Sequence, residues 1–167
     1  FKYRVDFSKL EIQKETAALC VSRPTNPTGT VLTDSEVEQL DELAGRAKIP
    51  LIIDGAYGLP FPSILFNDAR PHWNENTILV LSLSKLGLPG VRTGIVVAND
   101  EIINAFSNAN TVVSLANGNL GPSLVKELFL SVKILSLSID RLKPFYKSRA
   151  HHALNWFREA LVGLPFR

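Results

Sequence analysis

The sequence predicts an α/β domain with a mainly parallel sheet flanked by helices. Three observations carry that expectation. Apolar runs of strand length alternate with segments of helical period. Each run stops at Pro, Gly, Asn, Asp or Ser. Polar residues with chemical potential recur just beyond the runs, where parallel α/β sheets bind ligands. With 167 residues, 46% of them apolar and 20% charged, the chain is long enough for one domain with a real core.

Ala17-Ala18-Leu19-Cys20-Val21-Ser22 reads as a buried strand that breaks at Arg23-Pro24-Thr25-Asn26-Pro27-Thr28-Gly29. Thr33 and Glu36 have capping-box spacing, and Val37, Leu40, Leu43, Ala44 and Ala47 follow at helical period. Residues 49–53 form a second run, ending at Asp54-Gly55-Ala56-Tyr57. Residues 77–83 form a third, ending at Ser84-Lys85, and residues 93–98 a fourth. Asp100 is placed to cap a helix carrying Ile102, Ile103 and Phe106. Pro122 suits the first turn of a helix with Leu124, Val125, Leu128 and Phe129. A long final helix is expected from about Ser138, with Leu142, Phe145, Trp156, Phe157 and Leu161 along one side. Pro144 either kinks that helix or leaves it starting near Lys143.

Bulk properties narrow the function. A net charge of +2 gives no argument for nucleic acid or a membrane surface. The charge is uneven, with 8 Lys+Arg against 11 Asp+Glu in residues 1–83 and 10 against 5 in residues 84–167. A solvated helix face around Arg141, Lys143, Lys147 and Arg149 accounts for part of that excess. Cys20 is alone, so no internal disulfide forms, which fits a reducing compartment. No apolar stretch approaches the roughly 18–20 residues that span a bilayer. His151 and His152 have no Cys or carboxylate cluster at ligand spacing, so no metal is assigned. The chain opens on Phe1-Lys2-Tyr3-Arg4 and closes on Leu164-Pro165-Phe166-Arg167, and is read as an internal segment of a longer protein.

The strand-end residues suggest one chemistry. Lys85 follows two serine hydroxyls in Ser82-Leu83-Ser84-Lys85 and offers an amine able to form an imine with a carbonyl. Asp54 ends an apolar run, where a carboxylate is costly unless it has a partner. Such a partner is the protonated ring nitrogen of pyridoxal 5'-phosphate (PLP). Tyr57 and Asn26 can donate to the phenolic oxygen of PLP, and Ala56 is small enough for the ring to lie against it. Ser82, Ser84 and Arg92 supply hydroxyls and a forked cation for a phosphate. Each residue alone also has an ordinary structural explanation: a surface lysine, a loop turn, a packing tyrosine.

Asn26-Pro27-Thr28-Gly29, Asp54-x-x-Tyr57 and Ser82-x-Ser84-Lys85 with Arg92 occur in an order and spacing that resembles the PLP-dependent aminotransferases of fold type I, the class I/II family. The resemblance implies that Lys85 carries PLP as a Schiff base and that Asp54 partners the ring nitrogen. It implies that Tyr57 and Asn26 donate to the phenolic oxygen, and that Ser82, Ser84 and Arg92 hold the phosphate. It also implies a cis Asn26–Pro27 bond. Arg92 stands one residue closer to the lysine than in many members. The longer runs 22–29, 56–62 and 82–90 are similar to a bacterial branch acting on valine and pyruvate. That similarity implies transfer of the amino group from L-valine to pyruvate, giving 2-oxoisovalerate and L-alanine, by a cytoplasmic homodimer in amino-acid biosynthesis. The valine assignment rests on resemblance alone. Two alternatives stay open: another fold type I PLP enzyme, such as a different transaminase, a β-lyase or a decarboxylase, and a non-catalytic PLP-fold regulatory module. The expected organisation is residues 1–137 as the second half of the large PLP-binding domain. Residues 138–167 would be a connecting helix leading to a small domain that the chain does not contain. The family's glycine-rich phosphate loop, ring-stacking aromatic and substrate-carboxylate arginine would also lie outside it, so the segment alone is expected to be inactive.

Overall fold

The computed structural model describes residues 3–116 and 118–164. The opening Phe1-Lys2, Asn117 and the closing Pro165-Phe166-Arg167 lie outside the described residues, so the segment expected over 138–167 is described as far as Leu164. Four strands, β1 (Leu19–Ser22), β2 (Leu51–Asp54), β3 (Thr77–Ser82) and β4 (Gly94–Val97), form one sheet in the order β1-β2-β3-β4. The first three are parallel and β4 returns antiparallel to β3, giving the mainly parallel sheet expected. β2 starts two residues later than the apolar run because Pro50 has no N–H for the ladder; its carbonyl accepts from the Leu19 amide at 3.0 Å instead.

Helix α1 (Asp34–Ala47) crosses between β1 and β2, and its start is the predicted capping box. The Glu36 amide donates to Thr33 Oγ1 at 3.2 Å, and the Thr33 amide to Glu36 Oε2 at 2.8 Å. The apolar stripe Val37, Leu40 and Ala44 is buried in one core with Leu51, Ile53, Leu79 and Leu81, residues that alternate along β2 and β3 and so share a sheet face. Full burial of each such Leu or Ile contributes about 1.5–3 kcal/mol. The alternates Ile52, Ile78 and Val80 are only half-buried.

Helices α2 (Asp100–Ser114) and α3 (Leu120–Leu130) follow β4. The cap of α2 is Asn99, not Asp100: Asn99 is extended and its Oδ1 accepts from the Ile102 amide at 2.9 Å, while Asp100 is already helical. Both residue types cap well, and one-residue offsets at helix ends are not resolved by pattern. Pro122 lies in the first turn of α3, as expected, and Phe129 on that helix meets Phe61 edge-on at 5.4 Å. The final helix is two pieces, α4 (Lys133–Leu137) and α5 (Lys143–Ala160), joined through a π turn at Ser138–Leu142. Pro144 falls in the first turn of α5, just after that widened turn, so the chain stays helical past it. Of the apolar residues expected along this helix, Leu142 packs partly buried against the core, whereas Phe145, Trp156 and Phe157 are more than half exposed. No described helix is long and apolar enough to cross a membrane.

Candidate active site

The parallel register fixes where the chemistry can lie. Ser22 pairs with Asp54, and Asp54 with Val80, so β1, β2 and β3 end side by side. The segments leaving those ends carry Asn26, then Asp54, Ala56 and Tyr57, then Ser82, Ser84 and Lys85.

Asp54 is held at both oxygens. The Ser22 hydroxyl donates to Oδ2 at 3.1 Å and the Ala56 amide to Oδ1 at 3.0 Å. Both donors are neutral. Ser22 was not singled out from the sequence; its place directly across from Asp54 appears only once the register is known.

Lys85 lies in a 3₁₀ turn, Ser84–Leu86, immediately after β3. Its Nζ is 5.0 Å from the centroid of the Tyr57 ring, within cation–π range. Tyr57 in turn lines a cleft of ≈ 290 Å³ together with Asn26, Pro27, Val31, Ile64 and Phe66. The Asn26–Pro27 bond is cis. Ser82 Oγ accepts from the Ser84 amide at 3.1 Å, which leaves its own hydroxyl hydrogen free to donate. Arg92 closes the next 3₁₀ turn (Pro89–Val91), is exposed, and holds φ 46°, ψ 47°, a left-handed backbone that a side chain other than glycine seldom adopts.

The structure thus links Asn26 to Tyr57 through a shared cleft, Tyr57 to Lys85 through ring and ammonium, and Asp54 to Ala56 through a hydrogen bond. Arg92 has no direct contact of this kind to the set among the described residues; it follows the second 3₁₀ turn, two residues before Gly94, which pairs with Ser82. Among the described residues Asp54 has no cationic partner, and Lys85 and Arg92 have no carboxylate partner. One anion and two cations without an ionic partner near adjoining strand ends would suit a ligand that brings a protonated ring nitrogen and a phosphate. The donor set therefore fits PLP.

A second cluster lies behind the first two loops. Arg23 is 6% exposed. Its Nε donates to the Leu32 carbonyl at 2.9 Å, Nη1 to the Arg70 carbonyl at 3.0 Å and Nη2 to Asp34 Oδ1 at 2.5 Å. Asp34 also accepts from the Arg70 amide at 3.0 Å and from Arg70 Nε at 3.1 Å. The Arg70 amide first, and then the Arg23 guanidinium, hold the Asp34 carboxyl down from its ordinary 3.8 to about 2. His72 sits here, 3.3 Å from Asp41 Oδ2, and lines the cavity beside Arg23 rather than the Tyr57 cleft.

Comparison with known proteins agrees with this geometry. The family model described as aminotransferase class I and II matches residues 2–164. The valine–pyruvate aminotransferase of Escherichia coli K12 is 52% identical over 161 residues, covering 96% of this chain and 39% of its own length. A crystal structure of valine–pyruvate aminotransferase from Salmonella typhimurium LT2 superposes with a TM-score of 0.90 at 52% identity, over 95% of this chain and 41% of that one. That of a putative amino-acid aminotransferase from Psychrobacter arcticum gives 0.92 at 50% identity, over 96% and 38%. The chain spans about two fifths of the length of these relatives. The sheet, the strand-end residues and a family match running nearly end to end agree: the chain belongs to the class I and II aminotransferase family.

Proposed function

We propose that the full-length protein containing this chain is a PLP-dependent transaminase that moves the amino group of L-valine to pyruvate, giving 2-oxoisovalerate and L-alanine. One observation carries the proposal: Asp54, Lys85 and Arg92 are charged, lie near adjoining strand ends, and have no ionic partner among the described residues. The valine assignment is supported by the 52% identical relative of that name. Residue physics adds little to it, since one methylene in an apolar pocket is worth only ~1–3 kcal/mol.

When bound, PLP supplies a carbonyl for the amino group and a ring that accepts the electrons released at the substrate Cα. The chain's own residues do the rest. The Lys85 amine anchors the cofactor and then moves the proton taken from Cα. Asp54, fixed by Ser22 and Ala56, keeps a proton on the ring nitrogen. Tyr57 Oη and Asn26 Nδ2 donate to the phenolic oxygen. Ser82, Ser84 and Arg92 bind the phosphate, and Ala56 leaves space for the ring. In this reading residues 1–137 belong to the large cofactor-binding domain and residues 138–167 to the connecting helix. The enzyme works as a cytoplasmic homodimer on amino acids and 2-oxo acids.

The test uses the full-length protein with PLP. A visible absorption band is expected, together with faster turnover of valine plus pyruvate than of aspartate plus 2-oxoglutarate. Preference for the second pair rejects the substrate assignment; absence of the band rejects the cofactor.

A further inference from the structure

The two residues proposed to face the phenolic oxygen, Asn26 and Tyr57, sit on different loops, and neither side chain has a hydrogen bond that fixes it to the other. Something else must set their separation. The loop after β1 closes on itself through Thr25, whose amide donates to the Thr30 carbonyl at 2.8 Å, but that bond does not reach the loop after β2. Arg23 does. It is the first residue of the Asn26 loop, and its amide donates to the Asp54 carbonyl at 2.9 Å. Its guanidinium grips Leu32 at the far end of that loop, Arg70 at the far end of the Tyr57 loop, and Asp34 at the start of α1. Its own carbonyl is pressed so closely on Gly58, next to Tyr57, that a Cβ on Gly58 would lie 2.2 Å from it.

A buried guanidinium is tolerated only when paired and hydrogen-bonded. Here three acceptors from three segments meet the planar fork, an arrangement an ammonium does not reproduce. Arg23 lines a second cavity, which has Leu65 in common with the cleft that Asn26 and Tyr57 share, and is itself absent from the lining of that cleft. We infer that Arg23 is a positioning residue: without lining the cleft itself, it clamps the two loops so that Asn26 and Tyr57 face one acceptor together. The inference rests on the PLP reading above.

The consequence is spectroscopic. Hydrogen bonds from Tyr57 and Asn26 favour the more negative oxygen that exists once the cofactor–lysine linkage has lost its proton, so they lower the pH midpoint of the visible band. The full-length, PLP-loaded protein is titrated as wild type, Tyr57→Phe, Arg23→Lys and Asp34→Asn. Tyr57→Phe is expected to raise the midpoint by about one pH unit. Arg23→Lys is expected to raise it by about half a unit or more, and Asp34→Asn by a smaller amount in the same direction. A folded Arg23→Lys protein with an unmoved midpoint, alongside a shifted Tyr57→Phe, overturns the inference and leaves Arg23 with a role in stability alone. If Arg23→Lys does not fold, Asp34→Asn decides by the same criterion. An unmoved midpoint in Tyr57→Phe defeats the site reading itself, and the inference with it.

Discussion

Two groups of charged residues lie at or beyond the strand ends and the start of α1, and they differ in one respect. In the group formed by Arg23, Asp34, Arg70 and Glu38 every charge has an opposite charge within 4 Å. In the group formed by Asp54, Lys85 and Arg92, none has one among the described residues. The first group is paired internally, as a buried Arg must be, and under the inference above it also sets the positions of the two loops. The second has no such internal pairing, and under the proposed function a bound phosphate and a protonated ring nitrogen would supply it.

Substitutions in the second group should therefore act mainly on chemistry, and those in the first on stability and, through loop position, on the visible-band midpoint. The largest effect is expected from Lys85→Ala, which should lower transamination by roughly 10³-fold or more while leaving the melting temperature of the apo protein nearly unchanged. An apo protein that melts much lower would place Lys85 in the structural group instead. Asp54→Asn comes next, with an expected loss in kcat of about 10²–10³-fold, because a neutral amide no longer holds the ring proton. Retained kcat would show that the carboxylate is only a turn residue. Arg92→Ala should weaken PLP binding, measured by equilibrium dialysis, by about 10–100-fold, the equivalent of losing a charged hydrogen bond worth ~1.5–3 kcal/mol.

Smaller effects belong to the compensated group and to the helix caps. Asp34 is held at about 2 in the folded chain against 3.8 ordinarily. A depressed folded pKa means that its contribution to stability is complete above 3.8 and is lost as pH falls from there through 2. Thermal melts taken down that range should fall less steeply for Asp34→Asn than for wild type; identical slopes would remove the ion pair from the account. Outside both groups, Asn99→Ala should cost about 1 kcal/mol of stability with no change in transamination, and more than Asp100→Ala does.

The balance of what the sequence revealed follows from the range of the forces involved. Local rules carried far: the Thr33–Glu36 box, the strand runs and Pro122 in a first turn are each decided within a few residues, and the structure has them. Asp54, Tyr57 and Lys85 stood out as candidates because each lies at or shortly after the end of an apolar run, and because together they match a family pattern. Arg23 was not legible as a buried residue. Its partners lie at positions 32, 34 and 70, and no short-range signal joins them. Ser22 depended on register in the same way. For the last helix, periodicity names apolar residues but not what covers them, and Trp156 and Phe157 stand exposed among the described residues. Asn99 displaced Asp100 as a cap because two good capping residues stood side by side.

The central claim is that Lys85 is the residue to which the cofactor is joined. Borohydride reduction of the PLP-loaded full-length protein, followed by proteolysis and peptide mass mapping, tests it directly. The account predicts a pyridoxyl group on the peptide containing Ser82-Leu83-Ser84-Lys85, with the modification on Lys85. Stoichiometric labelling of a different lysine, or none at all in protein that shows the visible band, would contradict it.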